Sequence, residues 1–261
     1  MILKNKSPKV SIVMNCHNGD KYLYKSLTSV ISQSYKNWEL IFWNNKSSDK
    51  SEKIFKSFRD PRFKYFKSNY YQKLYKARNS AIKKCSGKYI AFIDTDDWWL
   101  KKKIQKQVNL LEKNKKYPFI YSNCFLFNQE KKTKKIFNTS NLPSGKISQK
   151  LLNKYVINIG TVMLKKSLLK NLKFNEVYEI IGDFDLFIKL SLKNMFLSIQ
   201  EPLTFYRLHN NNFSRRYNLH AIELDHWIKK NRFKLKKERL SIFNQIIYLY
   251  KLKIKKFIKY K

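Results

Sequence analysis

The chain has 261 residues, enough for one large domain or for one domain with an appendage. Hydrophobic residues make up 43% of it and aromatic residues 16%, which excludes a disordered protein. The formal charge is +38, but only eight of the 56 basic residues are arginines. Because nucleic-acid recognition usually needs arginine, we attribute the charge mainly to compositional bias, with attraction to anionic membranes as a second effect.

The cysteines and the apolar runs indicate the cellular compartment in which we expect the protein. Cys16, Cys85 and Cys124 are scattered, with neither metal-ligand spacing nor a disulfide framework, which predicts a reducing environment. The stretch before Pro8 lacks a long apolar core, and no run reaches the roughly 18 apolar residues of a membrane span. We therefore expect a cytoplasmic protein, or one held peripherally at the inner face of the cytoplasmic membrane.

The first half of the chain alternates predicted strands with predicted helices. The predicted strands are Val10–Met14, Glu39–Trp43, Phe63–Phe66 and Tyr89–Ile93. The predicted helices are Lys21–Ser32 with Asp20 as its cap, one that starts at Ser48 or Asp49, Leu74–Lys84, and one from about Leu100 to Lys113. This alternation is typical of a parallel sheet wrapped by helices.

After Pro118 the pattern changes to shorter strands with fewer helices. The predicted strands are Phe119–Asn128, Lys135–Asn138, Thr161–Leu164, Leu197–Ile199 and Leu203–Leu208, and the predicted helices are Ser167–Leu172 and Gly182–Lys193. From His220 to Lys261 the chain reads as helical, with thirteen basic residues against three acidic ones.

The apolar strand Tyr89–Ile93 is followed by three carboxylates, Asp94, Asp96 and Asp97. Ligands of open α/β sheets bind beyond the carboxyl ends of the strands, and three acids there repel one another unless a cation lies among them. Oxygen ligands suit Mg²⁺ or Mn²⁺, which often also bind a substrate phosphate. The alternative is an acidic loop in which Asp97 caps the helix that begins near Leu100.

Five segments, in this order, resemble inverting family 2 glycosyltransferases with the GT-A fold. They are VSIVMNCHNGDKYL (Val10 to Leu23), SLTSVISQSYKNWELIFWNNKSSDKS (Ser26 to Ser51), KARNSAIKKCSGKYIAFIDTDDWWL (Lys76 to Leu100), GDFDLFIKL and PLTFYRLHNNNFS. The resemblance implies a Rossmann-like α/β fold, with a mixed, mainly parallel central sheet flanked by helices. It implies a GT-A domain over residues 1–215, with a nucleotide-binding half of about 8–117 and an acceptor half of about 118–215. A basic helical extension over residues 216–261 follows.

The resemblance also assigns the donor side of the site. Asp96, the last acid of the Asp-x-Asp motif, is expected to bind the metal, and Asp94 to contact the sugar or ribose. Asp97 either helps by orienting metal-bound water or only caps the next helix. The base and ribose are expected at four residues that follow the first two strands, namely Asn15, His17, Asn44 and Asn45. Most family members carry an Asp in place of one of the last two, and the alternative is that these amides only form a turn.

Four further residues complete the predicted site. Arg78 matches a position near the donor, or else forms a surface salt bridge. Arg207 and His209 alternate on one extended segment and suit the diphosphate and its metal. Asp183 matches the catalytic base that accepts the proton of the acceptor hydroxyl, and the alternative is an N-cap of its helix.

These assignments predict an inverting, metal-dependent transfer of a hexose from a nucleotide diphosphate sugar. UDP is the expected nucleotide by family habit, and the acceptor is a hydroxyl of a surface polysaccharide or lipid-linked glycan. The alternatives are a nucleotidyltransferase and a nucleic-acid-binding protein, although we expect no nucleic acid as partner.

The basic tail carries its own prediction. An apolar stripe at helical spacing, with lysines beside it, fits a helix that lies on an anionic membrane surface; its members are Phe243, Ile247, Tyr250, Ile254 and Phe257. The alternative is a helix that packs against its own domain and exposes a basic face.

Overall fold

A computed structural model describes residues 9–258, with side chains for residues 9–254. Its strands are β1 (Val10–Cys16), β2 (Trp38–Asn44), β3 (Phe63–Lys67), β4 (Tyr89–Phe92), β5 (Trp98–Trp99), β6 (Phe119–Asn128), β7 (Thr133–Ile136), β8 (Met163–Lys165) and β9 (Phe196–Leu208). Its α-helices are α1 (Asp20–Ile31), α2 (Ser51–Ser57), α3 (Leu74–Ile82), α4 (Lys103–Lys113), α5 (Ser148–Asn153), α6 (Gly182–Lys193), α7 (Tyr217–Lys237) and α8 (Phe243–Ile258). Short 3₁₀ segments lie at Ile159–Thr161, Lys166–Leu169 and Phe213–Arg215.

The strands form one mixed sheet in the order β3-β2-β1-β4-β8-β6-β9-β5, with β7 paired to β6. The pairs β1–β2, β1–β4, β2–β3 and β6–β9 are parallel, whereas β8 is antiparallel to both β4 and β6. It follows that β1, β2, β3, β4, β6 and β9 all run in one direction. The predicted mixed, mainly parallel sheet flanked by helices is confirmed.

Two hydrophobic cores cover the two faces of this sheet. Side chains alternate between the faces of a strand, so that Ile12 and Met14 enter one core and Val13 enters the other. The first core contains apolar residues of α1 and α4. The second contains residues of α6, α7 and α8. Both faces are therefore covered, and the carboxyl edge of the sheet is where a ligand of such a fold would bind.

The sequence placed most elements correctly but divided some of them differently. Strand β9 is continuous where two strands were predicted, because register shifts opposite Asn123 carry the pairing past Pro202. Helix α5 and the two-residue strand β5 were not predicted, and α4 begins at Lys103 instead of near Leu100. Gly19 precedes α1 as its N-cap, so the predicted cap Asp20 is the first residue inside that helix.

The C-terminal segment is helical as predicted but contains a break. Arg239 has a left-handed φ of 57°, and the amide N of Leu240 donates to the carbonyl of Leu235 at 2.9 Å, which ends α7. Leu249 and Leu252 of α8 are buried in the second core, so this helix packs on its own domain. Within residues 9–258, no helix is long and apolar enough to cross a membrane.

Candidate active site

A cavity of about 1290 Å³ lies against the carboxyl edge of the sheet. Eight of the predicted site residues line it: Asn15, His17, Asn45, Arg78, Asp94, Asp96, Asp183 and His209. They come from the end of β1, from the loops after β1, β2, β4 and β9, from the middle of α3 and from the start of α6. Parallel strands end at the same edge, which explains how residues so distant in sequence meet.

Two residues predicted to bind the metal, Asp96 and His209, are in direct contact. His209 Nε2 lies 2.9 Å from Asp96 Oδ2, and the backbone N–H of Asn211 donates to His209 Nδ1 at 3.2 Å. Since Nδ1 accepts, Nε2 carries the proton and donates it to the carboxylate. Asn212 Nδ2 lies 3.4 Å from the same carboxylate oxygen. Asp96 is thereby held by the segment that follows β9.

These donors fit a divalent cation that a substrate helps to bind. Among residues 9–254, no three His, Cys, Asp or Glu side chains come together as a complete metal cage. Mg²⁺ needs no such cage, because it usually combines one or two carboxylates with water and substrate phosphates, and imidazole is an acceptable ligand for Mn²⁺. The Asp96 carboxylate faces the open cavity and meets this requirement. His209 would join it as a ligand only through Nε2, after this atom gives up the proton it donates to Asp96, because Nδ1 already accepts from Asn211.

Asp97 is placed differently from its two acidic neighbours. Its side chain is 1% exposed, Oδ1 accepts the backbone N–H of Arg207 at 2.8 Å, and Oδ2 has no hydrogen-bond partner within the described chain. Burial raises the pKa of this carboxyl, and the charges of Asp96 and Asp94 raise it further. It lies outside the cavity lining, and it caps no helix, because the residue preceding α4 is Lys102. Asp97 therefore neither lines the cavity, where it would orient metal-bound water, nor caps the helix that follows.

Arg78 fixes the other acid of the motif. Its side chain is 4% exposed, and its Nη2 donates to Asp94 Oδ1 at 2.7 Å. Arg78 is therefore a buried residue that orients a cavity carboxylate, and the surface salt bridge considered as an alternative does not form. The Asp94 side chain is still 34% exposed and lines the cavity.

The end of β1 and the loop that follows it place Asn15 and His17 at the cavity. Both side-chain polar atoms of Asn15 are buried with no hydrogen-bond partner in the described residues. His17 is exposed, and its Nδ1 contacts the Asn45 carbonyl at 2.9 Å while its ring packs edge-on against Tyr71 at 4.7 Å between centroids. An unpaired amide beside two rings packed edge-on can hydrogen-bond a nucleotide base.

The two asparagines after β2 have structural roles. Asn44 is fully buried, and its side chain contacts the Tyr65 hydroxyl at 2.8 Å and the Ser47 backbone N–H at 2.8 Å, away from the cavity. Asn45 lines the cavity, but its amide exchanges hydrogen bonds of 2.7 and 2.9 Å with the backbone of Gln72. The alternative, a residue that only forms a turn, therefore fits Asn44. The backbone carbonyl of Asn45 contacts the His17 ring.

Arg207 also lies behind the cavity instead of in it. Its side chain is 4% exposed, Nε donates to the Asp96 carbonyl at 2.7 Å, and Nη1 donates to Gln129. Its guanidinium stacks over Tyr22 at 4.3 Å and Trp98 at 4.6 Å. Arg207 and His209 both contact Asp96, but only His209 lines the cavity. Arg207 instead secures the acidic loop.

Asp183 lies in the first turn of α6 and faces the cavity from another side. The Tyr75 hydroxyl is 3.1 Å from Oδ1, and the Tyr155 hydroxyl is 3.3 Å from Oδ2. Burial raises the pKa of Asp183, while the charge of Arg78 and the two tyrosine hydrogen bonds act in the opposite direction. Asp183 forms no side-chain cap of its helix. A partly buried carboxylate with a raised pKa is suited to accept a proton.

The neighbours of Asp183 explain its orientation. A Cβ at Gly182 would lie 2.4 Å from the Tyr75 ring, so a larger residue here would displace that ring. Asp185 is 1% exposed and pairs with Lys189 at 2.6 Å and Trp227 Nε1 at 3.0 Å. One acid of the pair therefore faces the cavity and the other is structural.

Three supporting residues were missed from the sequence. Tyr75 and Tyr155 hold Asp183, and the carboxylate of Glu223 on α7 accepts the backbone N–H groups of residues 179, 180 and 181 at 2.6, 2.9 and 3.1 Å. These contacts join residues 28 to 108 positions apart, so no local pattern marks them.

Acids at the carboxyl edge of a mainly parallel sheet, with a further carboxylate facing the same cavity, are typical of nucleotide-dependent group transferases. The model of the family "Glycosyl transferase family 2" matches residues 11–173, more than half of the chain. The chain belongs to glycosyl transferase family 2.

Two relatives from Escherichia coli are similar over most of the chain. WfgD, a UDP-Glc:alpha-D-GlcNAc-diphosphoundecaprenol beta-1,3-glucosyltransferase, is 34% identical over 170 residues, which are 65% of this chain and 65% of WfgD. WfaP, which carries the same functional description, is 32% identical over 202 residues, or 77% of each protein.

Solved structures show the same fold at low identity. TarS 1–349 from S. aureus in complex with UDP superposes with a TM-score of 0.64 at 17% identity, covering 83% of this chain and 65% of that one. The mannosyltransferase PcManGT from Pyrobaculum calidifontis, in complex with GDP-Man and Mn²⁺, gives 0.65 at 15% identity, covering 94% and 70%. The expected GT-A fold is confirmed.

Proposed function

We propose that this protein transfers a hexose from a UDP-sugar to a hydroxyl of a diphosphate-linked lipid glycan, with inversion at the anomeric carbon and with a divalent cation. The observation that carries the proposal is that Asp94 and Asp96, from the loop after β4, line the same cavity as Asp183 from α6. The donor and acceptor classes named for WfgD and WfaP support the substrate classes. Family membership favours glycosyl transfer over nucleotidyl transfer and over nucleic-acid binding.

The geometry supports a single displacement at the sugar carbon. Asp183 accepts the proton of the acceptor hydroxyl as that oxygen attacks, because its carboxylate is oriented by two tyrosines and its pKa is raised by burial. Attack from the Asp183 side and departure of the diphosphate towards Asp96 would place the two groups on opposite faces of the sugar. A one-step reaction of this kind inverts the configuration.

The remaining residues bind and orient the donor. Asp94, held by Arg78, accepts a hydroxyl of the sugar or ribose, and Asn15 and His17 contact the base. Asp96 and His209 would hold Mn²⁺ or Mg²⁺ together with oxygens of the diphosphate. When bound, the cation neutralises the charge of the departing diphosphate.

The test is a donor screen that measures release of free nucleotide diphosphate. Purified protein is offered UDP-, GDP- and dTDP-sugars with a GlcNAc-diphospholipid acceptor, with Mn²⁺, with Mg²⁺ or with EDTA. We expect UDP release that needs both a UDP-sugar and a divalent cation. Release that is greatest with a GDP-sugar, or that persists in EDTA, would contradict the proposed donor or cofactor.

Membrane association is part of the same proposal. Phe243, Tyr250 and Ile254 of α8 are 65%, 61% and 58% exposed, although the opposite face of this helix is buried. Lys251 and Lys253 are exposed beside them. An exposed apolar stripe flanked by lysines matches an anionic bilayer in both apolarity and charge. The stripe's fifth predicted member, Phe257, and Lys255 and Lys256 beside it have side chains outside the described set.

Replacing the exposed stripe with serines is therefore expected to weaken membrane binding. The variant Phe243→Ser/Tyr250→Ser/Ile254→Ser should bind vesicles containing phosphatidylglycerol at least about tenfold more weakly. It lacks three apolar side chains whose transfer from water into the bilayer favours binding. Vesicle co-sedimentation at two salt concentrations measures this. The control Tyr24→Ser/Ile136→Ser/Val177→Ser removes three apolar side chains elsewhere that are 65%, 45% and 63% exposed, and it should bind as the unmodified protein does. Equal binding by both variants would exclude α8 as the membrane contact.

A further inference from the structure

The cavity extends well beyond the residues that the donor requires. Past Asp183 it continues between the segment after α5 and helices α7 and α8, a region we call the distal lobe. Its walls are formed by Lys154, Leu224, Ile247, Tyr248 and Lys251. None of the residues assigned to the nucleotide or the cation belongs to this lobe.

The distal lobe combines two cations with an apolar wall. Lys154 and Lys251 are exposed, and neither pairs with an acidic side chain within residues 9–254. The residues outside that range contain no acids. His220 adds no charge at neutral pH, because burial lowers its pKa to about 4. The free positive charges of the lobe are therefore the two lysines.

The lobe is continuous with the exposed stripe of α8. Ile247 lies one helical turn after Phe243 on this stripe, is 37% exposed, and also lines the cavity. Lys251 follows Ile247 by four residues and therefore projects from the same side of the helix. A lipid chain that lies along the stripe would reach the cavity at Ile247, one helical turn before Lys251.

The lobe also lies next to the proposed base. Lys154 precedes Tyr155, whose hydroxyl contacts Asp183. Lys154, Tyr155 and Asp183 line the same cavity, so an anion bound at Lys154 would share that cavity with the proposed base.

We propose that the distal lobe binds the diphosphate and the first isoprenoid units of the lipid-linked acceptor. Lys154 and Lys251 contact the diphosphate, Ile247 and Leu224 contact the lipid, and the sugar on the diphosphate extends towards Asp183. This inference rests on the proposed function for its acceptor class. It adds a binding site and an entry route along α8.

The test uses farnesyl diphosphate, a short lipid diphosphate, as the probe. Its affinity is measured by calorimetry with and without saturating UDP and Mn²⁺, next to inorganic diphosphate and farnesol. We expect farnesyl diphosphate to bind when UDP is present and to bind more tightly than either fragment. In Lys154→Gln/Lys251→Gln the affinity should fall at least tenfold, because two charge-assisted contacts are lost.

The matched control is Lys53→Gln/Lys101→Gln, which removes two exposed lysines outside the cavity and should leave the affinity unchanged. Unchanged affinity in the Lys154/Lys251 variant would overturn the inference, as would displacement of UDP by farnesyl diphosphate. Equal binding of inorganic diphosphate would exclude the lipid contact. UDP titration alone tests the donor site, so failure of the proposed function is seen separately from failure of this one.

Discussion

Asp183→Asn is expected to lower kcat for sugar transfer by about 10²–10⁴-fold, the usual contribution of a positioned general base. The amide keeps the shape of the side chain but cannot accept the proton of the attacking hydroxyl. UDP binding should be unchanged, because the nucleotide contacts lie on the loops after β1 and β2. Steady-state kinetics together with UDP titration separate these two effects.

The pH dependence of wild-type transfer gives a second measurement of the same role. Burial raises the pKa of Asp183, and only its deprotonated form is active, so kcat/KM should rise with pH through this raised value. The hydrogen bond from Tyr75 lowers the pKa. Tyr75→Phe removes it, and the acid limb of the profile should then move to higher pH. A purely structural tyrosine would change the rate without moving the limb.

Asp185→Asn is the matched control for Asp183→Asn. The two acids are two residues apart in α6, but Asp185 is buried against Lys189 and Trp227. Its loss should lower the melting temperature, since one partner of a buried pair is removed, and leave kcat near the wild-type value. If Asp185→Asn abolished transfer while Asp183→Asn retained it, the assignment of the base would be reversed.

The sequence predicted the parts of the structure that depend on local pattern. Alternating apolar strands and amphipathic helices specified a mainly parallel sheet, and polar residues directly after β1 and β4 were correctly expected at one edge. That edge brings Asn15, His17, Asp94 and Asp96 to one cavity. The assigned roles of these residues remain predictions until they are tested in solution.

The residues that sequence reasoning placed differently are those decided by packing between distant segments. Asn44, Asp97 and Arg207 belong to the correct loops and strands, but each is buried against another part of the chain. Position after a strand does not reveal whether a side chain points into a cavity or under a loop. The hydrogen bonds of Arg207 to the loop of Asp96 form only once β9 lies beside the acidic loop.

The break between α7 and α8 was hidden for a related reason. Helices often end at glycine in the left-handed region, but here Arg239 adopts that conformation. Neither glycine nor proline marks the break, and the whole tail therefore read as helical. The break lets α8 return against α7, so that Leu249 and Leu252 are buried while Phe243 and Tyr250 stay exposed.

Asp96→Ala should remove the dependence of the protein on divalent cations. In the wild-type protein we expect Mn²⁺ to tighten UDP binding and to support transfer, because the cation joins the diphosphate to the Asp96 carboxylate. In the variant, Mn²⁺ should no longer improve UDP affinity, and kcat should fall by roughly two orders of magnitude or more. UDP titrations with Mn²⁺ and with EDTA measure binding without relying on turnover.

The comparison between EDTA and the variant makes this prediction specific. If Asp96 acts through the cation, EDTA should reduce UDP affinity in the wild-type protein to that of Asp96→Ala and have no further effect on the variant, since both changes remove one interaction. Asp225→Ala, which removes an acid that pairs with Lys229 outside the cavity, should respond to Mn²⁺ and EDTA as the wild-type protein does. A variant at position 96 that still gained UDP affinity from Mn²⁺ would move the cation to other ligands. Asp94 is already paired with Arg78, and Asp97 is buried behind the cavity, so such a result would require the acidic loop to rearrange when the donor binds.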